Sequence, residues 1–334
     1  MSINVGLIGV GYWGPNLLRN LYALPNCRLK TVCDMSQDRC EFVSKNYPNV
    51  HVTSNVNEIL NDTDITAVVI ATPVKTHFDL SIKCLNAGKH ILVEKPMATT
   101  IDEIEKIESL AKSNQLIAMS GHTFLFNDAV NFVKDYVQSG ELGELRYIYS
   151  QRLNLGRIRD DVDALWNLAP HDISIIQYIL NDVSPIRISR HGQSYIQNDI
   201  DDVTFMNLEY PNKVMANIHV SWLDPQKVRK MTFVGSKKML IYDDIADHKI
   251  AIYDKNIERL KVMHDKMDYD QHNFEINYKY GDVTLPHIKF TEPLKKELIH
   301  FFDCITSGKE PISGINHTKN VVTILSHTYS KEYA

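Results

Sequence analysis

The sequence predicts a two-part α/β protein: a doubly wound parallel sheet first, then an α+β domain built on an open, mostly antiparallel sheet. Over residues 1–121, short apolar runs alternate with helix-period segments, which is typical of parallel strands joined by crossover helices. Beyond residue 121 the strand-like segments lengthen, and Pro211-Asn212 separates two of them as a hairpin turn would. The 334 residues suffice for two domains, which we place at 1–121 and 122–334.

The first domain contains six candidate strands, several of them short and apolar on both faces, as strands covered by helices on both sides should be. They are residues 5–9, 29–34, 50–54, 67–72, 90–94 and 116–121. A helix is predicted over 101–112, where Ile101, Ile104 and Ile107 belong to one apolar stripe. Thr100 is placed to cap this helix, and Glu103 completes a capping box.

The second domain mixes helices with longer strands. Helices are expected at 128–139, around 170–180, at 292–307 and at 317–332. Strands are expected at 145–153, 203–210, 213–222, 230–234 and 239–242. Residues 255–290 are polar, show no clear period and are read as strand plus loop.

Composition narrows the class of protein. A net charge of -5 argues against a broad nucleic-acid or anionic-membrane surface, and no apolar run is long enough to span a bilayer. The chain starts directly with a strand-like segment, without the pattern of a secretory leader. The five cysteines are odd in number and lack metal-like spacing, so we expect free thiols, no metal site and a cytoplasmic protein.

A glycine-rich motif follows the first predicted strand and precedes an apolar helix. Gly9, Gly11 and Gly14 fit GxGxxG, with Tyr12 and Trp13 before the last glycine. The first glycine permits a tight turn, the second lets the backbone approach a pyrophosphate, and the third allows close packing of helix on strand. The helix N-terminus then offers N–H groups to phosphates. This context predicts a dinucleotide-binding Rossmann domain; a glycine turn without a ligand is the alternative.

Asp34 ends the second predicted strand, 20 residues after Gly14, where an acid can accept hydrogen bonds from ribose hydroxyls. Its carboxylate would repel a 2′-phosphate, so NAD is the expected cofactor and NADP the less favoured one. Arg39 is close enough in sequence to accept such a phosphate or to cover the adenine.

Thr72 and Pro73 end the fourth predicted strand, and His77 follows them. Ligands of open α/β sheets bind beyond the carboxyl ends of the strands, so Thr72 and Pro73 are expected to line the cofactor. His77 is a further candidate for cofactor contact; its alternative is a residue packed locally at a helix start.

Glu94-Lys95-Pro96 closes the fifth predicted strand. Together with the glycine loop and Ala71-Thr72-Pro73, it resembles the glucose–fructose oxidoreductase / inositol dehydrogenase / rhizopine-catabolism (Gfo/Idh/MocA) family. The resemblance implies a Rossmann domain, a C-terminal domain on an open sheet, and a position for Lys95 beside the nicotinamide and the reacting carbon, with Glu94 in the cofactor site. A partly desolvated lysine has a lowered pKa and can orient or polarise an alcohol oxygen.

The segment 166–172 supplies the second catalytic candidate. Family members commonly carry Asp-x-x-x-His at the start of a C-terminal-domain helix, which implies that His171 is the general acid/base. Asn167 replaces the aspartate, and an amide can orient a hydroxyl but cannot take its proton. Trp166 either walls the pocket or supports the domain, and a histidine that only caps the helix is the alternative for His171.

Four motifs are similar to the family branch that acts on nucleotide-linked sugars: residues 11–16, 121–124, 168–172 and 221–225. The resemblance implies oxidation at C3 of UDP-N-acetylglucosamine or its uronic acid. The 3-keto sugar would then be transaminated, for surface polysaccharide or lipid A synthesis. Arginines at 152–159 suit a diphosphate, with Arg152, Asn154 and Arg159 as candidate ligands. His122 is a candidate for sugar or nicotinamide contact, with core packing as the alternative.

Three other functions remain open at this level: a ketoreductase working in the reverse direction, a dehydrogenase of a free polyol such as inositol, and an NAD-binding regulator without catalysis. The resemblance also implies a homo-oligomer, dimer or tetramer, and a pyridoxal-phosphate aminotransferase as a pathway neighbour.

Overall fold

A computed structural model describes residues 2–160, 162–261 and 274–327 of the chain. These residues form two compact units. The first comprises Met1–Asn127 and Thr291–Ser326, and the second is built on Asp128–Phe290. The predicted division at residues 121 and 122 therefore differs from the structure, in which a C-terminal segment returns to the first unit. A reading along the chain cannot detect this return, because it depends on packing between distant residues.

The strands, in chain order, are β1 (Ile3–Ile8), β2 (Cys27–Cys33), β3 (His51–Thr53), β4 (Ala67–Ile70), β5 (His90–Glu94), β6 (Ala118–Gly121), β7 (Leu145–Leu155), β8 (Arg187–Gln193), β9 (Val203–Glu209), β10 (Met215–Ser221), β11 (Leu223–Gly235), β12 (Met239–Asp243), β13 (Ile250–Lys261) and β14 (Phe274–Thr284). The helices are α1 (Gly14–Ala23), α2 (Gln37–Asn46), α3 (Asn57–Leu60), α4 (His77–Asn86), α5 (Ile101–Ser113), α6 (Asp128–Gln138), α7 (Ala164–Ile179), α8 (Pro293–Ser307) and α9 (Ile315–Leu325).

The first unit is the predicted doubly wound parallel sheet. Its six strands lie in the order β3-β2-β1-β4-β5-β6, and every neighbouring pair is parallel. All four residues of β4 are buried, as expected for a central strand with helices on both faces. The capping box of α5 is confirmed, since Thr100 accepts from the Glu103 backbone while the Glu103 side chain binds back to the N-cap.

The helices α8 and α9 close the first unit. Leu294, Leu298, Phe301 and Phe302 form the buried face of α8, and Val321, Val322 and Ile324 are buried on α9. At the N-terminus of α9, the Ser313 carbonyl accepts a hydrogen bond from Ser120 N–H at 2.9 Å. The returning segment is thus joined to the carboxyl-terminal half of β6.

The second unit is built on an eight-stranded sheet in the order β14-β13-β12-β11-β7-β10-β9-β8. Among the described strands of this sheet, only β7 and β10 pair in parallel, so the predicted, mostly antiparallel sheet is confirmed. The hairpin at Pro211-Asn212 also forms: Tyr210 N–H donates to Val214 O, and Asn212 has a φ of 60°.

Several predicted boundaries change. β8 was not anticipated, and β11 begins earlier than residue 230. Within the described parts of 255–290, β13 and β14 are strands and residues 285–290 form a loop. The helix expected at 170–180 begins at Ala164, because the Asp163 carboxylate caps it by accepting from Trp166 N–H, and Pro170 lies inside it. α9 ends at Leu325, and residues 328–332 of its predicted range lie outside the described residues. Within the described chain, no helix has the combined length and apolar character that crossing a bilayer requires.

Candidate active site

The glycine loop connects β1 to α1, and close contacts fix two of its glycines. Gly9 has a φ of 94°, and a Cβ there would lie 2.6 Å from the Ala71 carbonyl oxygen. A Cβ on Gly14 would lie 2.6 Å from the carbonyl oxygen of Gly9. A Cβ on Gly11, in contrast, would meet nothing within 4 Å. The loop is therefore tight at both ends and open at Gly11, which fits the approach of a pyrophosphate to the backbone.

The N-terminus of α1 also suits a phosphate. Trp13 is the N-cap residue and makes no side-chain hydrogen bond to the first turn, so the turn's N–H groups receive no side-chain acceptor from their own cap. Tyr12 is 94% exposed, and its side chain is available on the outer side of the loop.

Asp34 follows β2 and is tied directly to the glycine loop. Its Oδ2 accepts from Val10 N–H at 2.6 Å, and its Oδ1 accepts from Ser36 N–H at 2.8 Å. The carboxylate is thereby held beside the loop, where a dinucleotide-binding acid is expected. Arg39 is exposed on α2. The residues of the loop and of β2 thus fit an adenine dinucleotide.

Thr72 and Pro73 lie just beyond the carboxyl end of β4, as predicted. The Thr72 segment packs on the glycine loop, since a Cβ on Gly9 would lie 2.9 Å from Thr72 Cγ2. Thr72 Oγ1 accepts from Thr76 Oγ1 at 2.8 Å, which fixes the turn into α4.

His77 is placed differently from its prediction as a cofactor contact. It is only 1% exposed, and its two ring nitrogens lie 2.8 Å from backbone carbonyl oxygens: Nδ1 from Pro96 and Nε2 from Thr72. Burial lowers the pKa of His77, while the two carbonyl contacts act in the opposite direction. With both nitrogens engaged by the backbone, the ring has no free nitrogen for a ligand. The locally packed alternative describes its environment better.

Glu94 and Lys95 occupy the carboxyl end of β5. The Trp13 indole donates to the Glu94 carboxylate, and Glu94 Oε2 accepts from Lys95 N–H at 3.3 Å. Gly121 leaves room for this carboxyl group, since a Cβ there would lie 3.3 Å from Glu94 Oε2. Burial raises the pKa of Glu94 to about 7, although Lys95 and the hydrogen bonds oppose the rise. The Lys95 side chain is partly exposed beside this carboxyl group.

A second acid, missed by the sequence analysis, lies near Glu94. Glu297 of α8 is fully buried, and its Oε2 accepts from Thr123 Oγ1 at 2.8 Å. Burial raises the pKa of Glu297 well above its usual range, and the charge of Glu94 adds to the rise. A signal was available: Glu297 falls on the same helical face as Leu294 and Phe301, where an acid is unexpected.

His122 is buried and packs edge-on against His317 of α9, with ring centroids 5.3 Å apart. Burial lowers the pKa of His122 well below the usual range, and the nearby His317 and Lys95 side chains contribute. At 3% exposure His122 is a core residue of the first unit, which favours the packing alternative over sugar contact.

The second unit presents the other predicted residues on and around α7. Asn167 and His171 are four residues apart in this helix, so their side chains lie on one face, and both are partly exposed. Trp166 is also partly exposed in the first turn. His171 lies in the middle of the helix, so the suggestion that it caps the helix is wrong.

Arg152 was predicted to bind a diphosphate, but the structure buries it. Its side chain is 6% exposed, with Nε 2.7 Å from Asp172 Oδ2 and Nη2 3.3 Å from Oδ1. Ser150 Oγ donates to the same carboxylate at 2.8 Å. Asp172 therefore faces the sheet, and Arg152 holds α7 on β7 instead of presenting its guanidinium to a ligand.

Asn154 and Arg159 remain candidates for ligand contact. Both are partly exposed in or beyond the last residues of β7. Gly156 permits the Asn154 position, since a Cβ there would lie 2.4 Å from Asn154 Nδ2. The Arg159 carbonyl accepts from Gln197 Nε2 at 2.7 Å, which fixes the backbone from which the guanidinium extends.

The parallel sheet, the glycine loop, the acid beside it and the lysine at the end of β5 define an NAD-binding oxidoreductase. Two models of the Gfo/Idh/MocA oxidoreductases match the chain, the NAD-binding Rossmann fold over residues 3–122 and the C-terminal domain over residues 130–241. Together these matches cover more than half of the sequence. The chain belongs to the Gfo/Idh/MocA oxidoreductase family.

The individual proteins to which the chain is similar share only a small fraction of its sequence. Inositol 2-dehydrogenase 2 of Saccharopolyspora erythraea is 26% identical over 66% of this chain and 67% of its own length. The chain spans about three fifths to two thirds of the length of such curated relatives. Among solved structures, an oxidoreductase of Magnetospirillum magnetotacticum matches with a TM-score of 0.81 at 23% identity, over 97% of this chain and 99% of that one. UDP-N-acetylglucosamine 3-dehydrogenase of Acidithiobacillus ferrooxidans matches with a TM-score of 0.77 at 20% identity, over 97% and 96%. These likenesses show the shared fold.

Proposed function

We propose that this oxidoreductase uses NAD to oxidise the C3 hydroxyl of a UDP-linked N-acetylated hexose, either UDP-N-acetylglucosamine or its uronic acid. The observation that carries the proposal is the similarity in fold, over nearly the whole chain, to a UDP-N-acetylglucosamine 3-dehydrogenase. The partly exposed Lys95, Asn167 and His171 supply the side chains that such an oxidation needs. The product would be a 3-keto sugar.

The reaction moves a hydride and a proton from a secondary alcohol. NAD, when bound, supplies the hydride acceptor. Lys95 orients and polarises the hydroxyl oxygen, and the Glu94 carboxyl group next to it adjusts the charge around the ammonium. His171 takes the hydroxyl proton, because an imidazole titrates near neutral pH. Asn167, one helical turn away, orients the sugar by hydrogen bonding and holds no proton of the reaction.

NAD is proposed over NADP because Asp34 keeps a carboxylate beside the glycine loop. Both of its oxygens already accept backbone N–H groups, so the side chain cannot turn aside to admit a 2′-phosphate without losing those bonds. Repulsion between the carboxylate and the phosphate then favours the cofactor without that phosphate.

The polar environment of the substrate is assigned to Asn154, Arg159 and Trp166, in addition to Asn167 and His171. The buried ion pair of Arg152 leaves Arg159 as the better candidate for the diphosphate. A partly exposed Arg159 offers a fork of donors to phosphate oxygens.

A second candidate function is the oxidation of a free polyol. Two observations favour this function. The chain is similar to an inositol 2-dehydrogenase, and Arg152, buried in an ion pair, does not present its guanidinium to a diphosphate. This function predicts activity without a nucleotide and no effect of uridine diphosphate on the rate. A ketoreductase uses the same residues in the reverse direction.

The test combines purified protein, NAD and UDP-N-acetylglucosamine, with the partner aminotransferase and glutamate present to remove the 3-keto sugar, and follows NADH absorbance. We expect turnover by the wild type, and a loss on the order of 10²-fold or more in Lys95→Ala, because this lysine assists proton movement. Lys83→Ala, an exposed lysine on α4, is the matched control and should keep the wild-type rate. Turnover of free inositol but not of the UDP-sugar or its uronic acid would replace the proposal by the second candidate.

We also propose a cytoplasmic homo-oligomer, dimer or tetramer. All five cysteines are free thiols, which suits a reducing compartment. The outward face of the eight-stranded sheet carries the exposed aromatic and aliphatic side chains Tyr147, Tyr149, Phe205 and Met215, a composition typical of subunit interfaces. An aminotransferase that consumes the 3-keto product would be the pathway neighbour.

A further inference from the structure

His77 connects the two segments that carry the candidate cofactor site of the first unit. One ring nitrogen is 2.8 Å from the carbonyl oxygen of Thr72, beyond β4, and the other is 2.8 Å from that of Pro96, beyond β5. Pro96 directly follows Lys95. The ring is 1% exposed, so water does not compete for these contacts.

The contacts extend further on the Thr72 side. The Ala71–Thr72 backbone lies against the glycine loop so closely that a Cβ on Gly9 would come within 2.6 Å of Ala71 O. The glycine loop, the Thr72 segment, the imidazole and the Lys95-Pro96 segment therefore form one continuous series of contacts. Within it, the imidazole is the side chain that bridges the β4 and β5 ends.

We propose that His77 is a positioning residue: it fixes the distance between the dinucleotide-binding loop and Lys95 by bridging the carbonyls of Thr72 and Pro96. This inference rests on the proposed function only for the role of Lys95. The bridge itself predicts that His77 affects the affinity for NAD, whichever substrate the enzyme uses.

Chemistry explains why a histidine suits this place. The imidazole places its two nitrogens on opposite sides of a rigid ring, one at each carbonyl oxygen; the neutral ring donates to one of them, and the imidazolium donates to both. An aliphatic side chain offers no donor to either carbonyl, so without the imidazole these oxygens would bind water or separate. Displacing Lys95 by about 1 Å is enough to reduce the rate by on the order of 10²-fold.

Three variants separate positioning from mere stability. His77→Phe keeps a ring and removes both ring nitrogens, whereas His77→Gln keeps two N–H donors on one amide nitrogen. His90→Phe is the matched control: His90 lies at the opposite end of β5, where its Nδ1 accepts from Ile117 N–H at 2.9 Å. All three are compared with the wild type by melting temperature, by Kd for NAD from calorimetry, and by kcat and KM.

We expect His77→Phe to weaken NAD binding by at least about 10-fold and to lower kcat by on the order of 10²-fold, measured well below its melting temperature. His77→Gln should stay within about 5-fold of the wild type. His90→Phe should have a lower melting temperature than the wild type, while its Kd for NAD and its kcat should stay within about 2-fold of the wild-type values. If His77→Phe and His90→Phe lose stability alike and both bind NAD as the wild type does, the proposal is refuted.

A measurement on the wild type keeps the proposal testable even if His77→Phe does not fold. In protein with ¹⁵N-labelled histidine, NAD should shift at least one ring-nitrogen resonance of His77, assigned by its loss in His77→Gln. Unchanged resonances at saturating NAD would overturn the inference. A wild type that binds NAD but oxidises no UDP-sugar would refute the proposed substrate and leave the Kd and resonance tests of His77 intact.

Discussion

Replacing Glu94 by glutamine should stabilise the protein at alkaline pH. The Glu94 carboxyl accepts hydrogen bonds from the Trp13 indole and from Lys95 N–H, and a glutamine oxygen can accept both. The substitution therefore removes the ionisation and keeps the contacts. Since burial raises the pKa of Glu94 from its ordinary 4.5 to about 7, the ionised form is the costly one in the folded chain.

The magnitude follows from the two pKa values. At 1.36 kcal/mol for each pH unit, ionised Glu94 costs the folded state about 3 kcal/mol above pH 7. The folded chain holds this proton more tightly than the unfolded chain, so the free energy of unfolding falls as the pH rises from about 4.5 to about 7. Glu94→Gln should gain about 3 kcal/mol at pH 8, about 1 kcal/mol at pH 5, and nothing below about pH 4.

The assay is thermal unfolding followed by tryptophan fluorescence between pH 5 and pH 9. For a unit of this size, about 3 kcal/mol corresponds to a rise in Tm of about 10 °C. Glu41→Gln, which removes an exposed carboxylate from α2, is the control and should shift Tm equally at every pH. Parallel Tm curves for the wild type and Glu94→Gln would show that folding does not raise the pKa of Glu94 and would refute the reasoning.

Two further predictions concern the two units separately. Asp34→Ala should raise the ratio of NADP to NAD affinity by on the order of 10-fold in calorimetry, because the carboxylate that repels a 2′-phosphate is gone; an unchanged ratio would assign cofactor choice to another residue such as Arg39. Arg152→Met should lower the free energy of unfolding in urea by about 3–5 kcal/mol, since it leaves the buried Asp172 carboxylate without its counter-charge, whereas the double variant Arg152→Met/Asp172→Leu should recover most of that loss. Equal losses in both would mean that packing, not charge, holds α7.

Periodicity was enough to predict the parallel sheet, because its central strands are short, apolar runs that are buried on both faces. The start of α7 was misjudged for a different reason. Proline favours the first turn of a helix, which drew the predicted start to Pro170, yet Asp163 is a stronger N-terminal signal, and Pro170 is accommodated inside the helix. The preference of proline for the first turn and the N-cap preference of aspartate predict different helix starts, and the helix begins after the aspartate.

Two of the predicted site residues, His77 and Arg152, were assigned wrong roles for the same reason: each contacts a residue that is distant in the sequence. His77 follows a strand end, as a ligand contact would, but its ring is engaged by the carbonyl of Pro96, 19 residues away. Arg152 belongs to an arginine-rich segment, but Asp172 binds it inside the unit. The charge and position of these residues can be read from the sequence, whereas their partners are determined by tertiary packing.

The C-terminal segment Thr291–Ser326, which returns to the first unit, contributes polar contacts in addition to buried apolar side chains. Four consecutive residues at the end of β6 and beyond it meet polar groups: Ser120 binds the Ser313 backbone, Gly121 lies against Glu94, His122 packs on His317, and Thr123 donates to Glu297. Two of these partner side chains, His317 and Glu297, come from α9 and α8. Burial and the charge of Glu94 both raise the pKa of Glu297, so the acid that precedes Lys95 is coupled electrostatically to a helix that lies some 200 residues later in the chain. The cofactor-binding unit is therefore complete only with Thr291–Ser326, and a fragment ending at residue 121 would lack part of its electrostatic environment.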